Sequence, residues 1–210
     1  MTGRPAAVIE RRRQAASAGH AGDAAGARVH LDDEDPAVRG SALRGLARAG
    51  GLTPADLQTG LQDRSPAVRL AAVELAVNHT DVALDALMAR LDDDDRRVVE
   101  AAAWAVGETV SASDAEAAAV TAATDALSEV AQRHTDPLCR ESAVAALGAI
   151  GDQRGLRAIL AALGDKPEIR RRAVIALAPF DGPEVEAALL KATTDRDRQV
   201  RTAAEELRRP

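Results

Sequence analysis

At 210 residues the chain can hold one substantial core or a short array of repeats. Its composition is 46% hydrophobic but only 1% aromatic, with no Tyr, one Phe and one Trp, so alanine supplies most of the apolar count. Alanine favours helices and their close approach, whereas sheets favour β-branched and aromatic side chains, so an all-α fold is predicted. The formal net charge of −6 lacks the basic surplus of a nucleic-acid binder, and no nucleic-acid partner is expected.

Cys139 is the only cysteine, which excludes an intrachain disulfide and any multi-cysteine metal site. The start, "MTGRPAAVIERRRQ", lacks the apolar stretch of a signal peptide, and no run of about 18 apolar residues could span a membrane. The expected compartment is the cytoplasm.

In chain order, residues 1–22 read as an N-terminal capping helix and linker, with "RRR" at 11–13 as a solvated face. From residue 23 a phrase recurs: "DPAVRGSALRGLARAG" at 35–50, "SPAVRLAAVELA" at 65–76 and a worn copy, "DPLCRESAVAALGAIG", at 136–151. Taking the residue before the arginine of "AVR" as a marker gives Val38, Val68, Val98, Cys139, Ile169 and Val200, with successive gaps of 30, 30, 41, 30 and 31. A near-fixed period of this size indicates a solenoid, read as one continuous array over 23–210.

Each unit has a short first helix, such as "DVALDALMARL" at 81–91 or "QRGLRAILAAL" at 153–163, and a second helix after an Asp-rich turn. Pro often opens the second helix, where its missing N–H does no harm. Small residues at marker offsets three, four and seven, with larger apolar ones at eight and eleven, form the packed face. Gly50, Gly107 and Gly151 are expected at helix ends. The 41-residue gap predicts an enlarged first helix over 113–134, opening with a Ser-x-x-Glu capping box.

This pattern resembles the HEAT repeats, specifically the short-repeat, phycobilisome-lyase-like (EZ-HEAT) branch. The resemblance implies a right-handed α-solenoid of about six helix pairs. It also implies a turn Asp pairing with the Arg six residues on, as Asp33/Arg39, Asp63/Arg69 and Asp195/Arg201 are spaced to do. Val99 replaces that Arg in the third repeat, and the turn Asp moves to Asp136 and Asp165 in the fourth and fifth.

The related deoxyhypusine hydroxylases carry iron on His-Glu pairs at offsets two and three. Here those offsets hold Gly40-Ser41, Leu70-Ala71, Glu100-Ala101, Glu141-Ser142, Arg171-Arg172 and Thr202-Ala203, so the ligands that oxygen-activating iron needs are absent. The histidines, His20, His30, His79 and His134, form no metal-binding spacing. Cys139 reads as a small core hydrophobe beside the turn histidine His134 rather than as half of a thiol–imidazole dyad. The runs "DDED" at 32–35 and "DDDD" at 92–95 lack calcium-loop spacing and read as helix caps. No catalytic residue, cofactor or metal is expected.

In HEAT arrays the second helices line the concave, binding face. Offsets two, six and ten point away from the packed side and give Gly40, Arg44 and Arg48, then Leu70, Glu74 and Asn78, then Glu100, Trp104 and Glu108. The later repeats give Glu141, Ala145 and Ala149, then Arg171, Ile175 and Pro179. This lining is acidic in the middle with arginines toward each end, which opposes the basic groove of HEAT-like DNA glycosylases. The expected function is a scaffold that binds a protein or peptide. Its site is centred on Trp104, with Glu100, Glu108, Glu74, Glu141 and Leu70, and suits a basic partner whose Arg or Lys stacks on the indole. The alternative is an EZ-HEAT-type enzyme or enzyme subunit acting on a bound cofactor or a protein. Trp104 itself has two readings: exposed in the groove, or covered by the long first helix of the fourth repeat.

Overall fold

The computed structural model describes residues 3–79, 84–112 and 115–209, and among these every regular element is a helix. The N-terminal helix α1 (Gly3–His20) precedes six helix pairs. They are α2 (Ala24–Arg28) with α3 (Pro36–Arg48), α4 (Pro54–Leu61) with α5 (Pro66–Ala76), and α6 (Leu84–Met88) with α7 (Arg96–Ser111). Then come α8 (Ala117–Arg133) with α9 (Pro137–Ile150), α10 (Leu156–Ala162) with α11 (Pro167–Ala176), and α12 (Pro183–Ala192) with α13 (Arg198–Leu207). Residues 81–83 of the expected third-repeat helix, and Ser113 of the expected capping box, lie outside the described residues. Helix α8 is 17 residues long against 7 to 10 for α4, α10 and α12, and its N-cap, Glu116, makes no side-chain cap bond.

The chain divides into two compact units, Met1–Leu87 and Met88–Pro210. In the first, α1 and α5 each pack on α3, while α2 and α4 cover the second helices. In the second, α7, α9, α11 and α13 pack in series, and α8 lies against α7, α9 and α10.

All six marker residues are buried. The packed face runs through offsets four, five, seven and eight, as in Ala143, Val144, Ala146 and Leu147. Offset five joins this face, whereas the expected offset three is buried at Ala71 but only half-buried at Ser41, Ala101, Ser142 and Arg172. The shift follows from each second helix being covered on two sides, by its own first helix and by the neighbouring second helices. Alanine at offset four of every repeat, and Gly45, Ala105, Ala146 and Ala176 at offset seven, let those neighbours approach.

Gly107 corrects its expected place at a helix end: it is buried inside α7, where an added Cβ would stand 2.7 Å from the Cβ of Ala146 on α9. Gly148 meets Ala176 of α11 in the same way. Gly50 and Gly151 do end their helices, both at φ 69°.

The arginine ladder differs from the expected one. Arg39 donates to the backbone carbonyl of Asp33, six residues back, at 2.8 Å. Its guanidinium forks instead onto Asp63 of the following repeat, with both bonds at 2.7 Å. Arg140 with Asp165 (2.7 and 2.9 Å) and Arg170 with Asp195 (2.9 and 2.7 Å) repeat the arrangement. Arg11 on α1 joins Asp33 at 2.7 and 3.0 Å, so one of the three consecutive arginines is a rung and not a solvated residue. A planar fork matching a carboxylate is the geometry that favours Arg over Lys. Each rung ties one turn to its own helix and to the next repeat.

The turn carboxylates also organise the backbone. Asp33, Asp63, Asp93 and Asp195 each accept the N–H two residues on, at 2.7 to 3.0 Å. Asp35, Asp95, Asp136 and Asp197 cap the following helices, so the acidic runs serve as caps as expected. In the fourth repeat His134 stands where the other turns have Asp, and its Nδ1 accepts the N–H of Asp136 at 3.0 Å. That bond puts the proton of the neutral ring on Nε2.

Candidate functional site

The residues expected to line the binding face fall into the two units and are described within each. In the second unit, α7 presents Glu100, Trp104 and Glu108 one turn apart. Trp104 is 49% exposed, so α8 does not cover it, although it packs against the same helix. Glu108 is exposed and Glu100 half-buried, and neither carboxylate has an ion-pair partner among the described residues.

Glu141 on α9 is only partly available, because Arg172 of α11 approaches it to 3.5 Å. Ala145 follows at offset six, and then Ile175 on α11, 43% exposed. In the first unit, Glu74 on α5 is held by Arg44 of α3 at 3.0 Å, and Leu70 is half-buried. The four expected carboxylates therefore divide: Glu100 and Glu108 have no ion-pair partner among the described residues, while Glu74 and Glu141 already have arginines. The signal for those pairs was a period apart in the chain, Arg44 with Glu74 at the same offset and Glu141 with Arg172 one offset apart.

A cleft of about 660 Å³ opens between α11 and α13. Ile175, Ala178 and Leu207 give it an apolar floor, Arg171 and Arg198 a cationic side, and Glu206 a single carboxylate. Neither arginine has an ion-pair partner among the described residues. The residue spacing places Arg171, Ile175, Thr202 and Glu206 of this cleft at offsets two and six, whereas Arg198 precedes its marker and falls outside them.

Cys139 is fully buried and donates its thiol to the carbonyl of Arg96 at 3.2 Å. Burial pushes that thiol up to about 11, with Asp136 and Glu100 adding to the effect, so it stays protonated and unreactive at neutral pH. His134 is engaged with the backbone of Asp136 instead of with this sulfur. No helix of the described residues is long and apolar enough to cross a membrane.

The family model described as HEAT repeats matches residues 25–107 and 124–208. A search of curated proteins found no match. Among solved structures, a designed armadillo repeat protein in complex with the peptide (KR)4 superposes with a TM-score of 0.64 at 20% identity, covering 86% of this chain and 96% of its own. An engineered protein from a structural genomics consortium gives 0.67 at 21% identity over 88% of this chain and 96% of its own. The Escherichia coli protein YibA gives 0.64 at 17% identity, with 85% of this chain and 67% of its own covered. At such identities the likeness is one of fold.

Proposed function

The chain belongs to the HEAT-repeat family, and on that premise we propose that it is a non-catalytic binding protein for a basic segment of another protein or peptide. The observation that carries this reading is Trp104. A half-exposed indole stands between two unpaired carboxylates on α7, where the other second helices put Arg44, Glu74, Ala145, Ile175 and Glu206. An Arg or Lys stacked on that ring gains from its quadrupole and from Glu100 and Glu108 together. Aromatic anchors of this kind dominate many interfaces. The 30-residue spacing supports the short-repeat, EZ-HEAT type of array within this reading.

The designed neighbour's ligand, (KR)4, makes a suitable first probe. Labelled (KR)4 is titrated with the full chain in fluorescence anisotropy. Trp104→Ala is expected to weaken binding about tenfold, roughly 1.4 kcal/mol, and Glu100→Gln with Glu108→Gln to weaken it further and flatten its salt dependence. The free protein should show tryptophan emission typical of an exposed indole. Quenching by acrylamide should exceed quenching by iodide, which the two carboxylates repel. Binding that is absent, or indifferent to Trp104→Ala, would sink the proposal.

A further inference from the structure

We propose that the cleft between α11 and α13 is a carboxylate subsite of the same binding face, and that the partner is a bipolar extended segment. One end carries the basic residue that sits on Trp104. The other carries an Asp or Glu side chain next to an apolar residue. This deepens the peptide-binding reading above and rests on it.

Three observations within the second unit carry the inference. The unpaired charges are segregated: Glu100 and Glu108 lie on α7, while the cleft holds Arg171 on α11, two packings further along, and Arg198 on α13, three packings along. Between them the face is nearly uncharged, since Ala145 is small and the Glu141–Arg172 pair cancels itself. A purely basic ligand would cross that stretch and meet two arginines. Beside those arginines the cleft offers an apolar floor to which Ile175, 43% exposed, contributes, together with the Thr202 hydroxyl. The one opposing carboxylate, Glu206, is eight residues from Arg198 on α13 and leaves the Arg171–Arg198 end cationic. Unpaired guanidiniums over a concave apolar surface suit a carboxylate with a hydrophobic neighbour.

The spacing follows from the helix packing. The Gly107–Ala146 and Gly148–Ala176 contacts make α7, α9 and α11 approach closely. At about 8 Å per step, the indole and the cleft are separated by roughly 16–20 Å. An extended chain at about 3.3 Å per residue crosses that in five or six residues.

The test uses C-terminally amidated, labelled peptides with two arginines and, six residues later, a Glu beside a Leu. Controls are the same peptide with Gln for Glu, a version with the Glu only three residues from the arginines, a Gln version with a free C-terminus, and (KR)4. With the full chain at low ionic strength, the six-residue Glu peptide is expected to bind about tenfold tighter than its Gln form and than the three-residue version. Arg171→Ala with Arg198→Ala should abolish that gain while leaving (KR)4 binding undiminished. Equal binding of the Glu and Gln peptides, or a gain that survives the double variant, overturns the subsite. A gain found only with the free C-terminus overturns it in favour of a chain-end reader. If (KR)4 binds in these cases, peptide binding itself stands. If no peptide binds, both readings fall.

Discussion

Val99 and His134 are two departures from the repeat that belong together. The ladder arginine of one repeat reaches the turn carboxylate of the next, as Arg140 reaches Asp165. By that register, position 99 would supply the arginine for position 134. The chain has a buried valine at the first and, at the second, an imidazole that keeps the turn's hydrogen bond without adding a negative charge. An Asp at 134 would have had no ladder arginine from the preceding repeat to fork onto it, and an Arg at 99 would have been buried without a turn carboxylate at 134. Val99→Arg alone is therefore expected to cost roughly 3 kcal/mol or more, as an uncompensated buried charge does. His134→Asp alone should cost less, since that residue is only half-buried. Combined, the two changes rebuild a rung, so the double variant should be more stable than the sum of the singles by about 1 kcal/mol or more. Urea melts of the four proteins measure this coupling, and additive effects would show that the positions do not communicate.

At the scale of helices, spacing in the chain and distance in the fold are linked by small residues. Gly107→Ala should raise helix propensity by up to about 1 kcal/mol, yet its Cβ would meet Ala146 at 2.7 Å and the Ala146 Cα at 2.9 Å. A backbone atom cannot rotate aside, so overpacking of about 1–3 kcal/mol is expected to win and lower the melting temperature. Ala146→Gly should restore part of the loss in the double variant. A stabilised Gly107→Ala protein would mean that α7 and α9 separate more readily than this contact implies. The same residues explain what could be read in advance. The period, the second helices and the long α8 were legible because Val38, Val68, Val98, Cys139, Ile169 and Val200 recur with their alanines at fixed offsets, and because the 41-residue gap had to be filled. The ladder was legible only in its members. Asp63 lies six residues before Arg69 and 24 after Arg39, and spacing alone does not say which guanidinium reaches it. Trp104 stood out by its uniqueness, whereas the pairing of Glu74 and Glu141 with arginines depended on contacts across a full period.

For the molecule as a whole, the rungs make stability a function of acidity. The hydrogen bonds from Arg11, Arg140 and Arg170 hold Asp33, Asp165 and Asp195 below the ordinary aspartate range. Burial works the other way at Asp63, but the Arg39 fork and the Ser65 N–H outweigh it, so that carboxyl too is depressed. A depressed carboxyl binds fewer protons folded than unfolded, so its contribution is complete above the unfolded value, about pH 4, and disappears as pH falls through the lower folded value. These four groups should thus leave stability flat between about pH 6 and 8 and remove it progressively below about pH 4. Asp165→Asn isolates one rung, because the amide oxygen can still accept the Lys166 N–H while the charge facing Arg140 is gone. With both side chains partly screened by solvent, the neutral-pH loss is expected to be about 1–2 kcal/mol. The difference from the unmodified chain should shrink toward zero near pH 2–3, where both carry a neutral side chain at that position. Chemical denaturation at a series of pH values tests this. An Asp165→Asn protein whose stability falls with acid as steeply as the parent's would show that the Arg140–Asp165 fork is geometric only and contributes no charge energy to the array.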